Sequence, residues 1–393
     1  MSREIVIAGA GTGALGQVTP EVMRALCDSD VVFSSRRFSS LIPAGKNVHD
    51  VLDLAALDRE TGKVLILVSG DPGIFSLLPV IRRRYPSDKI TVLPGISSLQ
   101  AICAHAAETW SDAAILSGHG RTLSPGKFLN TVERNRITVL FCDRNISPSW
   151  ACEELDCMND VEVFIGSCLG SESESIHHGR PGEFSGSEFP ELSILLVRNN
   201  SVYTPERQNL WDKDFLRAEG IVMTNEAVRA VILSRLEVND DATFWDIGAG
   251  SGSISVSVGH ECPFSDVHAV ELNPKASSLI SRNAAKFHLH NITVHNSRAL
   301  EVIDALPSPS CVFIGGSNGE LPGILAHISA MNEPVSVVVA CVTLETFTEA
   351  FSILKDWEDF EALQVSASSS RALTPELTMM KASNPVMILS ARK

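Results

Sequence analysis

The chain has 393 residues, of which 44% are hydrophobic and 20% charged. That is ordinary globular usage, so disorder, collagen-like repeats and a disulfide scaffold are excluded, and the length suits two or three domains. Lys and Arg number 32 against 47 Asp and Glu, a net charge of −15, the reverse of the basic excess expected of a nucleic-acid binder or a protein held on an anionic membrane. An anionic small substrate is compatible with that balance only where Arg or Lys gathers locally.

The nine cysteines are scattered and include no CxxC. That argues against a zinc ribbon and paired disulfides, fits a reducing compartment, and leaves no metal expected. No apolar run reaches the ~20 residues of a membrane span. Residues 5–8 run straight into glycines, as a first strand does and a signal peptide does not. A soluble, cytoplasmic protein is expected.

The first 200 residues alternate short β-rich runs with helical patterns. The strand at 5–8 ends in Gly9-Ala10-Gly11-Thr12-Gly13. Thr19-Pro20-Glu21 opens a helix, with Thr as N-cap, Pro at the first helical position and Glu favoured by the dipole. Strands follow at 31–33 and 64–68. The second is a continuous apolar run, as in a strand buried on both faces of a parallel sheet, and it leads into Ser69-Gly70-Asp71-Pro72-Gly73. The strand at 90–93 ends in Pro94-Gly95-Ile96-Ser97-Ser98, where either serine suits the cap of a helix near Leu99. In open α/β sheets such strand ends line the ligand crevice. Each loop alone is an ordinary turn; three in one half-domain make a candidate site.

Further strands are expected at 113–116, 137–142, 162–165 and 193–197, the first leading into Ser117-Gly118-His119-Gly120-Arg121. The Ser-, Gly- and Glu-rich stretch 170–186 reads as a surface excursion. Its His177-His178 pair has the composition of half a metal site, but solvated histidines fit that setting better. Residues from 199 to about 219 are polar, carry Pro205 and show no apolar period. The chain therefore divides into a domain over 1–200, a linker over 201–219 and a domain over 220–393.

After the linker, Thr224-Asn225-Glu226 caps a helix with Val228, Val231, Ile232 and Leu236 on one face. Strands follow at 242–247, 267–271, 292–295, 311–314, 335–342, 363–367 and 386–390, with helices between. This is a doubly wound α/β domain of seven strands. No long helix separates the last two strands, so one is expected to be antiparallel. Asp246 precedes Gly248-Ala249-Gly250-Ser251-Gly252, and Glu271 ends the next strand. Glycine lets a ligand touch the backbone, and an acid at the second strand end accepts ribose hydroxyls. The loop is GxGxG after an acid, not the GxGxxG of a pyrophosphate cradle. The pattern favours S-adenosylmethionine over NAD.

The first half resembles the tetrapyrrole methylases in its first glycine loop, in Gly70-Asp71-Pro72 and in Pro94-Gly95-Ile96-Ser97-Ser98. Trp110-Ser111-Asp112-Ala113 and Ser117-Gly118-His119-Gly120-Arg121 are similar to the branch that acts on precorrins. The second half resembles the usual partner of that branch, the decarboxylating precorrin methyltransferases. The residues that carry this are Met223-Thr224-Asn225-Glu226-Ala227-Val228-Arg229, Trp245-Asp246-Ile247-Gly248 with the rest of its loop, and Phe313-Ile314-Gly315-Gly316-Ser317. The resemblance implies an α/β chain with a two-lobed tetrapyrrole methylase fold followed by a Rossmann-like, seven-stranded class I S-adenosylmethionine methyltransferase. It implies two S-adenosylmethionine sites, an anionic tetrapyrrole substrate and a place in cobalamin biosynthesis. The first domain would methylate C5; the second would methylate C15 and remove the C12 acetate carboxyl. It also implies a homo-oligomer.

By motif position, Gly70, Asp71, Pro72, Ile74, Ser97 and Ser98 are expected to contact the donor in the first domain. In the second, Thr224, Gly248, Gly250, Gly252, Glu271 and Ala299 are expected, with Asp246, Ala249 and Ser251 of the same loop. The chain departs from the family at Ser34-Ser35, where glycine is usual, and at Ser297-Arg298-Ala299-Leu300, where Gly-x-Ala-Pro is common. A polycarboxylate substrate calls for arginines. The candidates are Arg36, Arg37, Arg121 and Arg371, with Arg121 foremost because its loop follows a strand end. Arg121, His119 as a proton carrier, and Asp71 are the candidate catalytic residues. Competing readings are an NAD-linked oxidoreductase with two Rossmann-like domains and a non-catalytic tetrapyrrole-binding protein.

Overall fold

The computed structural model describes residues 3–119, 123–207 and 209–393. The chain forms two compact units, Met1–Leu123 with Asn135–Val202, and Ser124–Arg134 with Tyr203–Lys393.

The first unit holds two sheets. One takes β1 (Glu4–Gly9), β2 (Val31–Ser34), β3 (Asn47–Asp50), β4 (Lys63–Val68) and β5 (Lys89–Leu93), in the order β3-β2-β4-β1-β5. All its pairings are parallel. Strands β1 and β4 are central and buried on both faces, which accounts for their unbroken apolar runs. Ile5, Ile7 and Ile66 pack on one side with Leu57 and Ile81, and Val6, Leu65 and Leu67 on the other with Val22 and Leu26. Thr19 caps helix Pro20–Asp28 as expected, its Oγ1 accepting the Val22 N–H at 3.3 Å. Strand β3 is largely exposed and polar, so no hydrophobic alternation announced it.

The other sheet takes β6 (Ala114–Ser117), β7 (Ile137–Phe141), β8 (Val161–Ser167), β9 (Ser175–Gly179) and β10 (Ser193–Asn199), in the order β6-β7-β10-β8-β9. Only β6–β7 is parallel. The expected surface excursion over 170–186 is largely exposed, but within it β9 forms an edge strand whose backbone pairs along β8. His178 sits opposite Phe164 and stacks on it, ring centres 4.1 Å apart. His177 packs edge-on against Phe189. The strand has a single aliphatic residue, Ile176, and two histidines packed on aromatic rings, which is why its composition read as a loop. Among the described residues no group of His, Cys, Asp or Glu is placed to hold a metal ion.

The second unit holds β11 (Thr243–Ile247), β12 (Asp266–Val270), β13 (Ile292–His295), β14 (Cys311–Ile314), β15 (Ser336–Cys341), β16 (Glu358–Val365), β17 (Ser368–Ala372), β18 (Thr378–Ala382) and β19 (Val386–Arg392). Seven of them form one sheet, β13-β12-β11-β14-β15-β19-β16. The first five are parallel, and β19 runs antiparallel to both neighbours. The seven strands and the antiparallel end agree with expectation. The β17–β18 hairpin is a separate, exposed ribbon that the sequence did not announce. Arg371 lies on it and lines neither cavity described below.

The stretch expected to be a linker is packed within the second unit. Leu210 and Phe215 are buried with Val256, Phe287 and Leu289. Scattered apolar residues in a largely polar run make no period, so the docking was hidden. Helix Pro125–Arg134, inside the range expected for the first domain, also belongs to the second unit. Its Asn130 Nδ2 donates to the Pro263 carbonyl at 2.7 Å. Gly126 permits the approach, since a Cβ there would stand 2.6 Å from the His290 carbonyl oxygen. No helix among the described residues is long and apolar enough to cross a membrane.

Candidate active sites

Strand β11 lies between β12 and β14, and its carboxyl end opens into a cavity of about 580 Å³. Gly248 and Gly250 follow with φ of +71° and +58°. A Cβ on Gly248 would lie 2.1 Å from the Gly316 carbonyl oxygen, and one on Gly250 2.9 Å from that of Val222. Both the left-handed backbone and the close approach therefore require glycine. Glu271 follows β12 and lines the cavity. Its Oε2 accepts the Gly250 N–H and its Oε1 the Asn273 N–H, each at 2.8 Å. Each oxygen keeps a further acceptor position.

Asp246 lies beneath this loop, 0% exposed. Its Oδ2 accepts the Ser255 N–H at 2.9 Å and the Ser255 hydroxyl, and its Oδ1 has no partner among the described residues. Burial pushes the carboxyl up to about 6, against the pull of the Ser255 hydrogen bonds. Of the residues expected to meet the donor, Thr224, Gly248, Ala249, Gly250, Glu271 and Ala299 line the cavity. Asp246, Ser251 and Gly252 stand behind it. The Ser251 N–H donates to the Val222 carbonyl at 3.1 Å, and Gly252 packs on Ile280.

Sequence reasoning placed Arg229 in a motif but gave it no role at the site; it is 2% exposed. Its guanidinium donates to the carbonyls of Thr224 (2.9 Å) and Leu210 (2.8 Å) and to Asp212 (3.0 Å). It thereby holds the segment that brings Val222 and Thr224 to the cavity wall. An arginine directly beside the apolar stripe of its helix was the available signal. The cavity also takes in Arg298 and Glu320, paired at 2.7 Å.

In the first unit a cavity of about 420 Å³ forms where the loops after β1, β4 and β5 meet. Their backbones touch, for a Cβ on Gly95 would stand 2.4 Å from the Gly70 carbonyl oxygen and 2.7 Å from that of Gly9. Asp71 ties two of these loops. Its Oδ1 accepts the Gly73 N–H at 2.7 Å and its Oδ2 the Gly95 N–H at 3.1 Å. Ser97 caps helix Ser98–His105 in a reciprocal box with Gln100. Gly70, Asp71, Ile74, Ser97, Ser98 and His119 line the cavity, and Pro72 does not. His119 Nδ1 sits 3.4 Å from Ser117 Oγ. Arg121 lies outside the described residues. Arg36 stays off the cavity, whereas Arg37 lines it.

Residues 214–393 match the family model of the precorrin methyltransferase domain, and residues 4–184 that of the tetrapyrrole (corrin/porphyrin) methylases. The precorrin-6Y C(5,15)-methyltransferase [decarboxylating] of a Sinorhizobium species is 25% identical over 366 residues, which covers 87% of this chain and 85% of that protein. The cobalt-precorrin-6B C(15)-methyltransferase (decarboxylating) of Salmonella typhimurium is 32% identical over 187 residues, 46% of this chain and 95% of that protein. The crystal structure of precorrin-6y C5,15-methyltransferase from Geobacter metallireducens GS-15 is 36% identical, with a TM-score of 0.44, and covers 47% of this chain and 97% of that one.

A seven-stranded sheet of this order, with its glycine loop and strand-end acid, is the frame of a methyltransferase, and that is what the chain is. It belongs to the precorrin methyltransferases, as a fusion of a tetrapyrrole methylase domain with a precorrin methyltransferase domain. The methyl donor of the family is S-adenosylmethionine. The oxidoreductase and carrier readings fall with this assignment.

Proposed function

We propose that the chain methylates a precorrin-6B-type tetrapyrrole, metal-free or carrying cobalt, at C5 in the first unit and C15 in the second. The second unit also removes the C12 acetate carboxyl, and the reactions belong to cobalamin biosynthesis. Each unit holds its own S-adenosylmethionine. The observation that carries this reading is a separate cavity in each unit, set at the carboxyl ends of parallel strands and walled by glycine loops that a Cβ would block.

The residues present fit the donor. In the second unit Glu271 keeps acceptor positions for ribose hydroxyls, and Leu272 and Ala299 offer apolar surface to a base. In the first, Gly70 and Ile74 line the wall beside the Ser97 cap. Bound S-adenosylmethionine supplies an electrophilic methyl group. The protein's part is alignment and exclusion of water, and alignment alone lowers a barrier by up to ~7–11 kcal/mol. No side-chain nucleophile is needed. Asp71 acts through the loops it joins, and His119 stands at the cavity wall as the proton carrier of the first unit.

The β17–β18 ribbon, with Leu373, Leu377 and Met380 exposed, supports a homo-oligomer. The net charge of −15 speaks against a nucleic-acid partner and an anionic membrane, and we place the enzyme in the cytoplasm. Mass spectrometry of the product from the full chain, substrate and labelled donor tests the reaction. Two methyl groups gained and one carbon dioxide lost are expected; one methyl group, or an unchanged carboxyl count, overturns the reading.

A further inference from the structure

Arg37 lies on the turn Arg36–Leu41 that follows β2 and is the single Lys or Arg among the described residues lining the first unit's cavity. Its Nη2 donates to the Thr12 carbonyl at 2.9 Å, and its guanidinium lies over the Phe38 ring, 4.6 Å from the centroid. Phe38 is 1% exposed, so the ring is a firm platform. Gly13 makes room for this stack. Its φ is +103°, and a Cβ there would meet the Phe38 ring at 3.3 Å. The third glycine of the first loop thus serves Arg37.

What the guanidinium lacks is an acid. Among the described residues no Asp or Glu pairs with it, and the two carboxylates on the cavity wall are engaged elsewhere. Asp71 holds backbone N–H groups, and Glu191 pairs with Arg144 at 3.1 Å. Desolvation lowers the Arg37 pKa without an offsetting carboxylate. A guanidinium oriented by one carbonyl and one ring, with further donors left over, suits bidentate capture of a carboxylate. Leu169, Leu192 and Ile194 on the same cavity's wall offer apolar surface to a flat ring.

We propose that Arg37 binds a side-chain carboxylate of the tetrapyrrole and so sets which edge of the macrocycle the first unit presents to the donor. The proposal rests on the reading of that unit as a tetrapyrrole methylating site. The full chain with Arg37→Gln and Arg37→Lys tests it, methylation in the second unit serving as internal control and thermal unfolding as a check on folding. Arg37→Gln raises the KM for tetrapyrrole in the first-unit step roughly 10- to 100-fold, leaves the KM for the donor unchanged and spares the second-unit step. Arg37→Lys restores part of the loss. A raised donor KM with an unchanged tetrapyrrole KM, or no change in either, overturns the proposal. If the wild-type chain adds only the second-unit methyl group, the reading of the first unit falls, and Arg37 is then judged by tetrapyrrole titration. There, weakening of one of two binding events by Arg37→Gln upholds its role, and two unchanged events end it.

Discussion

The carboxylate of Glu271 accepts the N–H of Gly250 at 2.8 Å, so the acid that ends β12 braces the glycine loop that ends β11. One side chain shapes the loop and offers acceptors to the ribose. Glu271→Ala removes both effects. Charge-assisted hydrogen bonds are worth about 1.5–3 kcal/mol each, so donor affinity in the second unit falls roughly 10- to 100-fold. Product masses check this: C15 methylation and decarboxylation drop together while C5 methylation continues.

Asp71 plays the matching part in the first unit, with one oxygen on Gly73 and the other on Gly95. Asp71→Ala frees both loops and lowers C5 methylation roughly 100-fold, with C15 methylation intact. Asp71→Asn keeps one acceptor and falls between. Site-resolved analysis of the methylated product distinguishes the two steps.

The buried Asp246 carboxyl, pushed up to about 6 from 3.8, gives a pH signature. Between those values the folded chain retains a proton that the unfolded chain has released. Its effect on stability is therefore favourable at low pH, is lost as pH rises from about 4 to about 6, and is flat above, by about 3 kcal/mol in all. Asp246→Asn cannot ionise. Its stability relative to wild type therefore climbs across that window, as urea unfolding at a series of pH values measures.

Gly248→Ala places a methyl group against the Gly316 carbonyl on a backbone with φ of +71°. Relieving that clash moves the loop, and donor binding in the second unit weakens roughly 100-fold. Gly316→Ala meets nothing within 4 Å and leaves binding close to wild type, which separates the clash from a general effect of a methyl group at the cavity.

Much of the fold was legible where burial writes a pattern. Strands β1, β4 and β15 are mostly apolar because both their faces are covered, and Asp246 to Gly252 announces a ligand loop through its glycines. What stayed hidden lacks such a pattern. Strand β9 is held in part by His178 on Phe164, and the supposed linker by Leu210 and Phe215 together with polar anchors such as Arg229 on Leu210 and Asp212 and the Leu216 N–H on Asn283. At the site, the loops gave the candidates but not their division of labour. Only three dimensions show that Asp246 and Ser251 stand behind the cavity, that Arg229 holds its wall, and that Arg37 lines a cavity whose two carboxylates, Asp71 and Glu191, are engaged elsewhere.

The central claim is one donor site in each unit of a single chain. Calorimetric titration of the full-length protein with S-adenosylhomocysteine tests it most directly. Two equivalents bound per chain are predicted, one of them selectively weakened by Glu271→Ala and the other by Asp71→Ala. A single equivalent, or one site weakened by both substitutions, contradicts it.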